Sequence, residues 1–184
     1  MPEQTDHDIV EAMLPMTYRL ALAKTLNPAD AEDITQDVML RYLQYRPAFE
    51  SAEHTKAWFI RVTVQRVADF WRQNGRHRES LSLDAPLNAD SDRQTTFAET
   101  LPAVDEWPAV DFGLDLARAM ARLKPQEREI LHLYYYENLS GDEIAGILQR
   151  RPGTVRMQLK RARSALKNAF GSEPDISESD TEAT

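Results

Sequence analysis

The chain contains no cysteine, so it forms no disulfide and offers no thiolate to a metal, which fits a reducing compartment. No apolar run reaches the length of a membrane span. Its first ten residues, MPEQTDHDIV, are acidic and polar where a secretory leader would be basic and then apolar. These absences predict a soluble, cytoplasmic protein with no membrane insertion. Six glycines are present, none set in a phosphate-cradling loop, and no nucleophile motif stands out. The four histidines, His7, His54, His77 and His132, share no metal-ligand spacing and read as surface or helix-filling residues. An enzyme is therefore not expected, and neither a metal nor another cofactor is called for.

What is present is a chain of 184 residues, 42% hydrophobic and 28% charged, enough for one medium domain or two small ones, of which we favour two. The net charge of −8 argues against a polyanion partner until it is divided along the chain. Residues 1–37 carry two basic and eight acidic side chains, and residues 81–116 carry one and eight. Between and after them lie two basic islands: residues 38–80, net +4, and residues 140–170, net +5. The remainder from Gly171 holds five acids and no base. Two separate contacts with a polyanion are implied.

The second island organises the chain. In LSGDEIAGILQRRPGTVRMQLKRAR, Ser140 and Glu143 have the spacing of a capping box, and Leu139 and Ile144 that of a hydrophobic staple. A helix is thus predicted from about Ser140. Arg150 and Arg151 make a turn, and Pro152 suits the first position of a new helix because it has no N–H to lose. In that helix Val155, Leu159, Ala162 and Leu166 form an apolar stripe, with Arg156, Lys160, Arg163 and Lys167 in a second stripe beside it. A basic stripe alone is usually a solvated face. Behind a capped helix and a tight turn, it is the second element of a helix-turn-helix, which enters the major groove by its N-terminal end. The candidate DNA contacts are Arg151, Thr154, Arg156, Met157, Lys160, Arg161 and Arg163. Arg151 is a poor N-cap residue, and a Ser, Thr, Asp or Asn would serve better there.

Upstream, a helix is predicted from about Asp8 to Lys24, kinked or divided at Pro15. Asn27 caps a second helix, with Pro28 at its first position and Asp30, Glu32 and Asp33 in the first turn. Its predicted core face is Ala31, Ile34, Val38, Tyr42 and Tyr45. The other side carries Glu32, Asp33, Gln36 and Asp37, which local physics explains as compensation of the helix dipole. After Pro47 a third helix follows, with Ala57, Ile60, Val64, Val67 and Trp71 inside. Trp58, Arg61, Gln65, Arg72, Arg76 and Arg78 lie on or near its other side. Aromatic and basic residues interleaved in this way suit a single strand of nucleic acid, although Trp58 is equally compatible with the core. Residues 81–110 show no period and three prolines, a linker with at most a helical turn near Trp107. Two further helices, around Leu114–Ala121 and after Pro125, lead into the helix-turn-helix. The segment from Gly171 is acidic and is expected to be disordered.

The blocks DAEDITQDVMLRYLQYRPAF with AWFIRVTVQRVADFWRQNGRHRE, and LKPQEREILHLYYYENLSGDEIAGILQRRPGTVRMQLKRAR, resemble regions two and four of the sigma-70 superfamily, in its small extracytoplasmic-function branch. The resemblance implies an all-α protein of two small helical domains. Residues 1–80 correspond to region two and residues 113–170 to region four, joined by a flexible acidic linker, 81–112, and followed by a tail, 171–184. It also implies binding to core RNA polymerase through Asp33, Gln36, Asp37 and Arg41, in preference to a mere dipole role. The third helix would melt the minus-ten promoter element through Trp58, Arg61, Gln65, Arg72, Arg76 and Arg78, and the last helix would read the minus-thirty-five element. An anti-sigma factor is an implied partner, promoter DNA the target, and the nucleoid in the cytoplasm the location.

Five positions depart from the pattern of that branch. Gln65 stands where Asn is common in a flipped-base pocket, Met157 where Ser is frequent, and Gly141 where a larger residue is usual. Arg150 and Arg151 replace an apolar and a small polar residue, so either the turn is repacked or the arginines add phosphate contacts. The rival reading is a stand-alone helix-turn-helix regulator, which leaves the acidic second helix and the aromatic-basic third helix without a joint purpose.

Overall fold

The computed structural model describes residues 5–73 and 113–171, and its described residues are helical without a strand. The anticipated linker, the turn near Trp107, the acidic tail and the positions of Arg76, His77 and Arg78 lie outside the described residues. Among the described residues three helices make the first domain: α1 (Asp6–Thr25), α2 (Pro28–Tyr45) and α3 (Ala52–Gln73).

Helix α1 starts two residues before its expected position because Thr5 and Asp8 form a capping box. The Thr5 N–H donates to Asp8 Oδ2 at 2.9 Å and the Asp8 N–H to Thr5 Oγ1 at 3.2 Å. These bonds hold the Asp8 carboxyl below the usual carboxylate range. Pro15 sits inside the helix without dividing it. Leu26 then turns into the left-handed region (φ 54°), and Asn27 Oδ1 accepts from the Ala29 and Asp30 N–H groups at 3.0 and 3.4 Å. The cap and the Pro28 start of α2 are as the sequence predicts. Ala31, Ile34, Val38 and Tyr42 are buried as expected, but Tyr45 is 71% exposed. Helix α2 ends there, at Arg46 (φ 39°), beyond the reach of the bundle, and Met39 is buried instead.

In α3 Ile60 and Val67 are buried, Ala57, Val64 and Trp71 half-buried, and Phe59, Val62 and Thr63 join the core unannounced. The hydroxyls of Thr55 and Thr63 are absorbed by the carbonyls four residues back, so these polar groups enter the interior satisfied.

The second domain comprises α4 (Gly113–Ala121), α5 (Pro125–Leu131), a π-helical turn (His132–Tyr136), α6 (Gly141–Leu148) and α7 (Pro152–Gly171). Helices α4, α5 and α6 pack on α7, while α1, α2 and α3 pack on one another. The two groups also meet: α1 lies against α5 and α3 against α6. One apolar cluster runs through both, from Leu20, Leu22 and Ile60 to Ile130, Leu133 and Ile144. The sequence carried no signal of this closure.

Candidate nucleic-acid and protein interfaces

Helix α6 begins as its sequence demands. The Ser140 N–H donates to Glu143 Oε2 at 2.7 Å, and the Glu143 N–H returns to Ser140 Oγ at 3.2 Å; burial of Ile144 and partial burial of Leu139 complete the staple. Gln149, at φ 53°, closes the helix. Helix α7 opens at Pro152 with Val155, Leu159 and Ala162 buried and Leu166 half-buried. Its other sides are in solvent: Arg151, Thr154, Arg156, Met157, Lys160, Arg161 and Arg163 are all exposed. An open groove runs beside them, lined by Tyr134, Gly141, Arg156, Leu159, Lys160 and Arg163. The Arg163 guanidinium lies 4.8 Å from the Tyr134 ring centre and 5.6 Å from that of Tyr135, so two rings orient a cation at the groove wall. Space does not demand glycine at 141, because a Cβ there would meet Leu159 Cδ1 at 3.7 Å, an ordinary contact.

The two turn arginines part company. Arg151 is exposed, and its carbonyl accepts from the Thr154 and Val155 N–H groups at 2.9 and 3.2 Å. Arg150 turns inward, with Nη2 2.8 Å from Glu129 Oε1 and Nη1 3.3 Å from Gln158 Oε1. The turn is therefore repacked around Arg150.

On α2, Asp33, Gln36, Asp37 and Arg41 are all exposed. Asp37 pairs with Arg66 of α3, and the Arg41 guanidinium stands 5.6 Å over the Tyr45 ring. Sequence reasoning passed over Leu40 and Leu43, which are 49% and 41% exposed on the same helix. Their misfit with the core period was the signal, since apolar side chains beside acids on an open face point to protein contact.

The third helix divides its candidates. Trp58 is half-buried and meets Tyr42 and Phe59 edge-on or nearly so, with ring centres 6.1 and 4.9 Å away, and Phe49 at 6.0 Å. That is a packing position rather than a free stacking platform. Gln65 and Arg72 are exposed. Arg61 is half-buried, and its Nε donates to the carbonyl of Ile147 in the last turn of α6 at 3.0 Å.

A buried ionic assembly between the domains had no forecast. Glu129 of α5 is fully buried and contacts both Lys24 of α1 and Arg150. Burial, with Arg150 and Arg128 close by, pulls the Lys24 ammonium down against the carboxylate it touches. Arg128 donates to the carbonyls of Ala23, Lys24 and Leu123; the first two belong to the last turn of α1, which has no intrahelical donors of its own to offer them. Nearby, Lys56 Nζ of α3 is 2.8 Å from Glu137 Oε2 and donates to the Glu137 carbonyl at 3.0 Å. His132, which reads from sequence as a surface or filler residue, is buried with Nε2 3.5 Å from Glu137 Oε1 and its ring stacked on Tyr136. Burial pushes the Glu137 carboxyl up, but His132 and Lys56 outweigh it and bring it to about 2.

Residues 9–77 match the family Sigma-70 region 2, and residues 113–166 match Sigma-70, region 4. The ECF RNA polymerase sigma factor SigL of Mycobacterium tuberculosis is 30% identical over 151 residues, covering 82% of this chain and 80% of that protein. The chain belongs to the ECF sigma factors of the sigma-70 family. The ECF RNA polymerase sigma factor SigE of Mycolicibacterium smegmatis is 31% identical over 166 residues. The probable RNA polymerase sigma factor RfaY of Xanthomonas campestris pv. campestris is 30% identical over 162. The chain spans 60% and 39% of the length of these two, and they cover 88% and 87% of it. Among solved structures, the sigma factor RpoE of Bartonella quintana, crystallised with the anti-sigma factor NepR, superposes with a TM-score of 0.65. It covers 90% of this chain and 96% of its own, at 20% identity, a likeness of fold. The region 2 match thus covers α1–α3 except the first residues of α1, and the region 4 match covers α4–α7 except the last residues of α7. Among the described residues no cluster could hold a metal ion and no helix is long and apolar enough to cross a membrane.

Proposed function

We propose that this sigma factor binds core RNA polymerase and directs it to a chosen set of promoters in the cytoplasm, on the nucleoid, without chemistry of its own. The observation that carries the reading is the joint presence of three surfaces in family order: an acidic and apolar face on α2, a polar-basic face on α3, and the exposed cationic row of α7. Asp33, Gln36, Asp37 and Arg41, with Leu40 between them, form the polymerase contact. Arg61, Gln65 and Arg72, continued by Arg76 and Arg78, serve the minus-ten element, and Trp58 supports them from the core. Arg151, Thr154, Arg156, Met157, Lys160, Arg161 and Arg163 serve the minus-thirty-five element. Residues 1–80 and 113–170 act as the two working domains, with 81–112 as tether and 171–184 outside the machinery. An anti-sigma factor is the matching inhibitor, a reading supported by the RpoE structure, which holds one.

The test is transcription from a genomic fragment library with purified core polymerase. Adding the chain should yield discrete start sites absent with core alone. Sequence-specific DNA binding without new start sites would instead establish the stand-alone helix-turn-helix regulator.

A further inference from the structure

Helix α7 carries Arg156, Lys160, Arg161, Arg163 and Lys167 and no acid. All five are exposed. Four of them, at steps of four, three and four residues, fall on one side of the helix, with Arg161 apart. Successive cations of this row stand about 4.5–6 Å apart along the axis, and like charges at that spacing weaken a helix. Among the described residues the row has one acid in ion-pair reach, Asp142 at 3.9 Å from Arg156, and both side chains are largely in solvent.

The chain that leaves this helix is its complement. Residues 172–184 hold Glu173, Asp175, Glu178, Asp180 and Glu182 and no base, so five acids follow five cations. They begin at the C-terminal end of α7, where the helix dipole is negative and disfavours them; the nearest compensation on the helix is Lys167 and then Arg163. Gly171 and Pro174 are the residue types with which a helix stops and the chain turns. Thirteen residues reach at most about 43–47 Å when extended, against about 22 Å along the axis from Gly171 back to Arg156. Acids two residues apart in an extended chain are about 6.5–7 Å apart, close to the step of the cationic row.

We propose that residues 172–184 fold back along α7 and lie on the row of Arg156, Lys160, Arg163 and Lys167 as an internal competitor for the phosphates of duplex DNA. The segment is no part of the reading surface; it sets how tightly that surface holds DNA. Its ion pairs are exposed and individually weak, but the short tether keeps the acids beside the row at an effective concentration in the millimolar range. Stray DNA, which offers phosphates alone, has to displace the segment, and a promoter site that adds base contacts displaces it more readily. The proposal rests on the reading of α7 as the duplex-binding helix given above.

The chain's lack of cysteine allows a direct test. Ala183→Cys in the full chain takes a nitroxide label, and paramagnetic broadening of the backbone amide signals is read without DNA. Broadening should centre on α7 between Arg156 and Lys167, and should vanish at high salt. It should also vanish when Glu173→Gln, Asp175→Asn, Glu178→Gln, Asp180→Asn and Glu182→Gln are combined. Broadening no stronger on α7 than on the exposed acids of α2 would overturn the docking and leave only repulsion at a distance. Broadening of an unlabelled, isotopically enriched chain mixed with a labelled one would assign the row to a second copy and overturn the internal return. Affinity for a random-sequence duplex pool is the second readout. Removing residues 172–184 should raise it by on the order of tenfold at low salt and steepen its salt dependence, because DNA then displaces salt ions where it had displaced carboxylates. Helical content should not change, and the neutralised chain should match the shortened one. Equal duplex binding by full and shortened chains would overturn the competition. If the shortened chain binds no duplex, alone or with core polymerase, the reading of α7 fails and the competition with it, while the broadening still decides whether the segment is docked.

Discussion

Glu137 joins a residue's ionisation to the arrangement of the whole chain. Its carboxyl, beside His132 and Lys56, ionises at about 2 in the folded chain and near 4.5 in the unfolded one, so its contribution is present above about 4.5 and disappears as pH falls through about 2. Glu137→Gln should lower the unfolding temperature at pH 7, equivalent to roughly 1–3 kcal/mol for the charged hydrogen bonds it removes. The gap between parent and variant should close as the pH is taken towards 2, and a gap that persists in acid would remove the charge from the explanation. At the reading helix the division is between neighbours. Arg156 is near the start of α7, so Arg156→Ala should relax preference at particular upstream bases and cost about 1–3 kcal/mol if it grips its base with both nitrogens. Arg163, held over two tyrosine rings, holds phosphate in the proposed reading. Its replacement by Ala should weaken all sequences alike and reduce the salt slope by about 0.9 for each phosphate no longer neutralised. Binding to a mutated operator series at several salt concentrations separates the two, and a uniform loss from Arg156→Ala would contradict base reading.

Among the elements, α2 shows what can and cannot be read from a sequence. Its start was legible because Asn27 and Pro28 act on the backbone locally, and so were the Ser140 cap and the Pro152 start of the helix-turn-helix. Its far end was not, since Tyr45 continues the core period and only the shape of the bundle leaves it in solvent. The same blindness hid Leu40 and Leu43, whose exposure depends on what fails to pack against them. For α3 the period identified Ile60 and Val67 but not the arrangement that buries Phe59 beneath Trp58 and Tyr42. The exposed acids of α2 lead to a prediction at this scale. Asp33→Lys with Asp37→Lys should abolish co-purification with core polymerase while circular dichroism retains the helical signal. Leu40→Ser alone should weaken the same complex, since an apolar side chain there is buried only when a partner covers it. Undiminished binding by the double variant would dismiss α2 as the docking face.

For the whole molecule, the least legible feature is the interface between domains, because Lys24, Lys56, Arg128, Glu129 and Glu137 are the residue types that a sequence assigns to solvent. Only the tertiary arrangement puts Arg128 at the end of α1, where it supplies donors to the Ala23 and Lys24 carbonyls. That position makes Arg128 a test of how strongly the halves are joined. Leaving the Leu123 carbonyl without this donor is a cost within region 4, and leaving the Ala23 and Lys24 carbonyls of α1 without donors would cost about 1–3 kcal/mol each, but for these two the chain has an alternative: the domains can separate and let water reach α1. The interdomain part of the loss is therefore capped by the free energy of closure, and any excess is relieved by opening. Arg128→Ala should accordingly convert one cooperative calorimetric transition into two, for region 2 and region 4, with little change in helical content below both. Lys24→Ala combined with it should add little, because the shared interface is already open. A single transition for Arg128→Ala, moved to lower temperature with calorimetric and van't Hoff enthalpies still equal, would mean that the apolar packing of α1 on α5 holds the domains together without the ionic assembly.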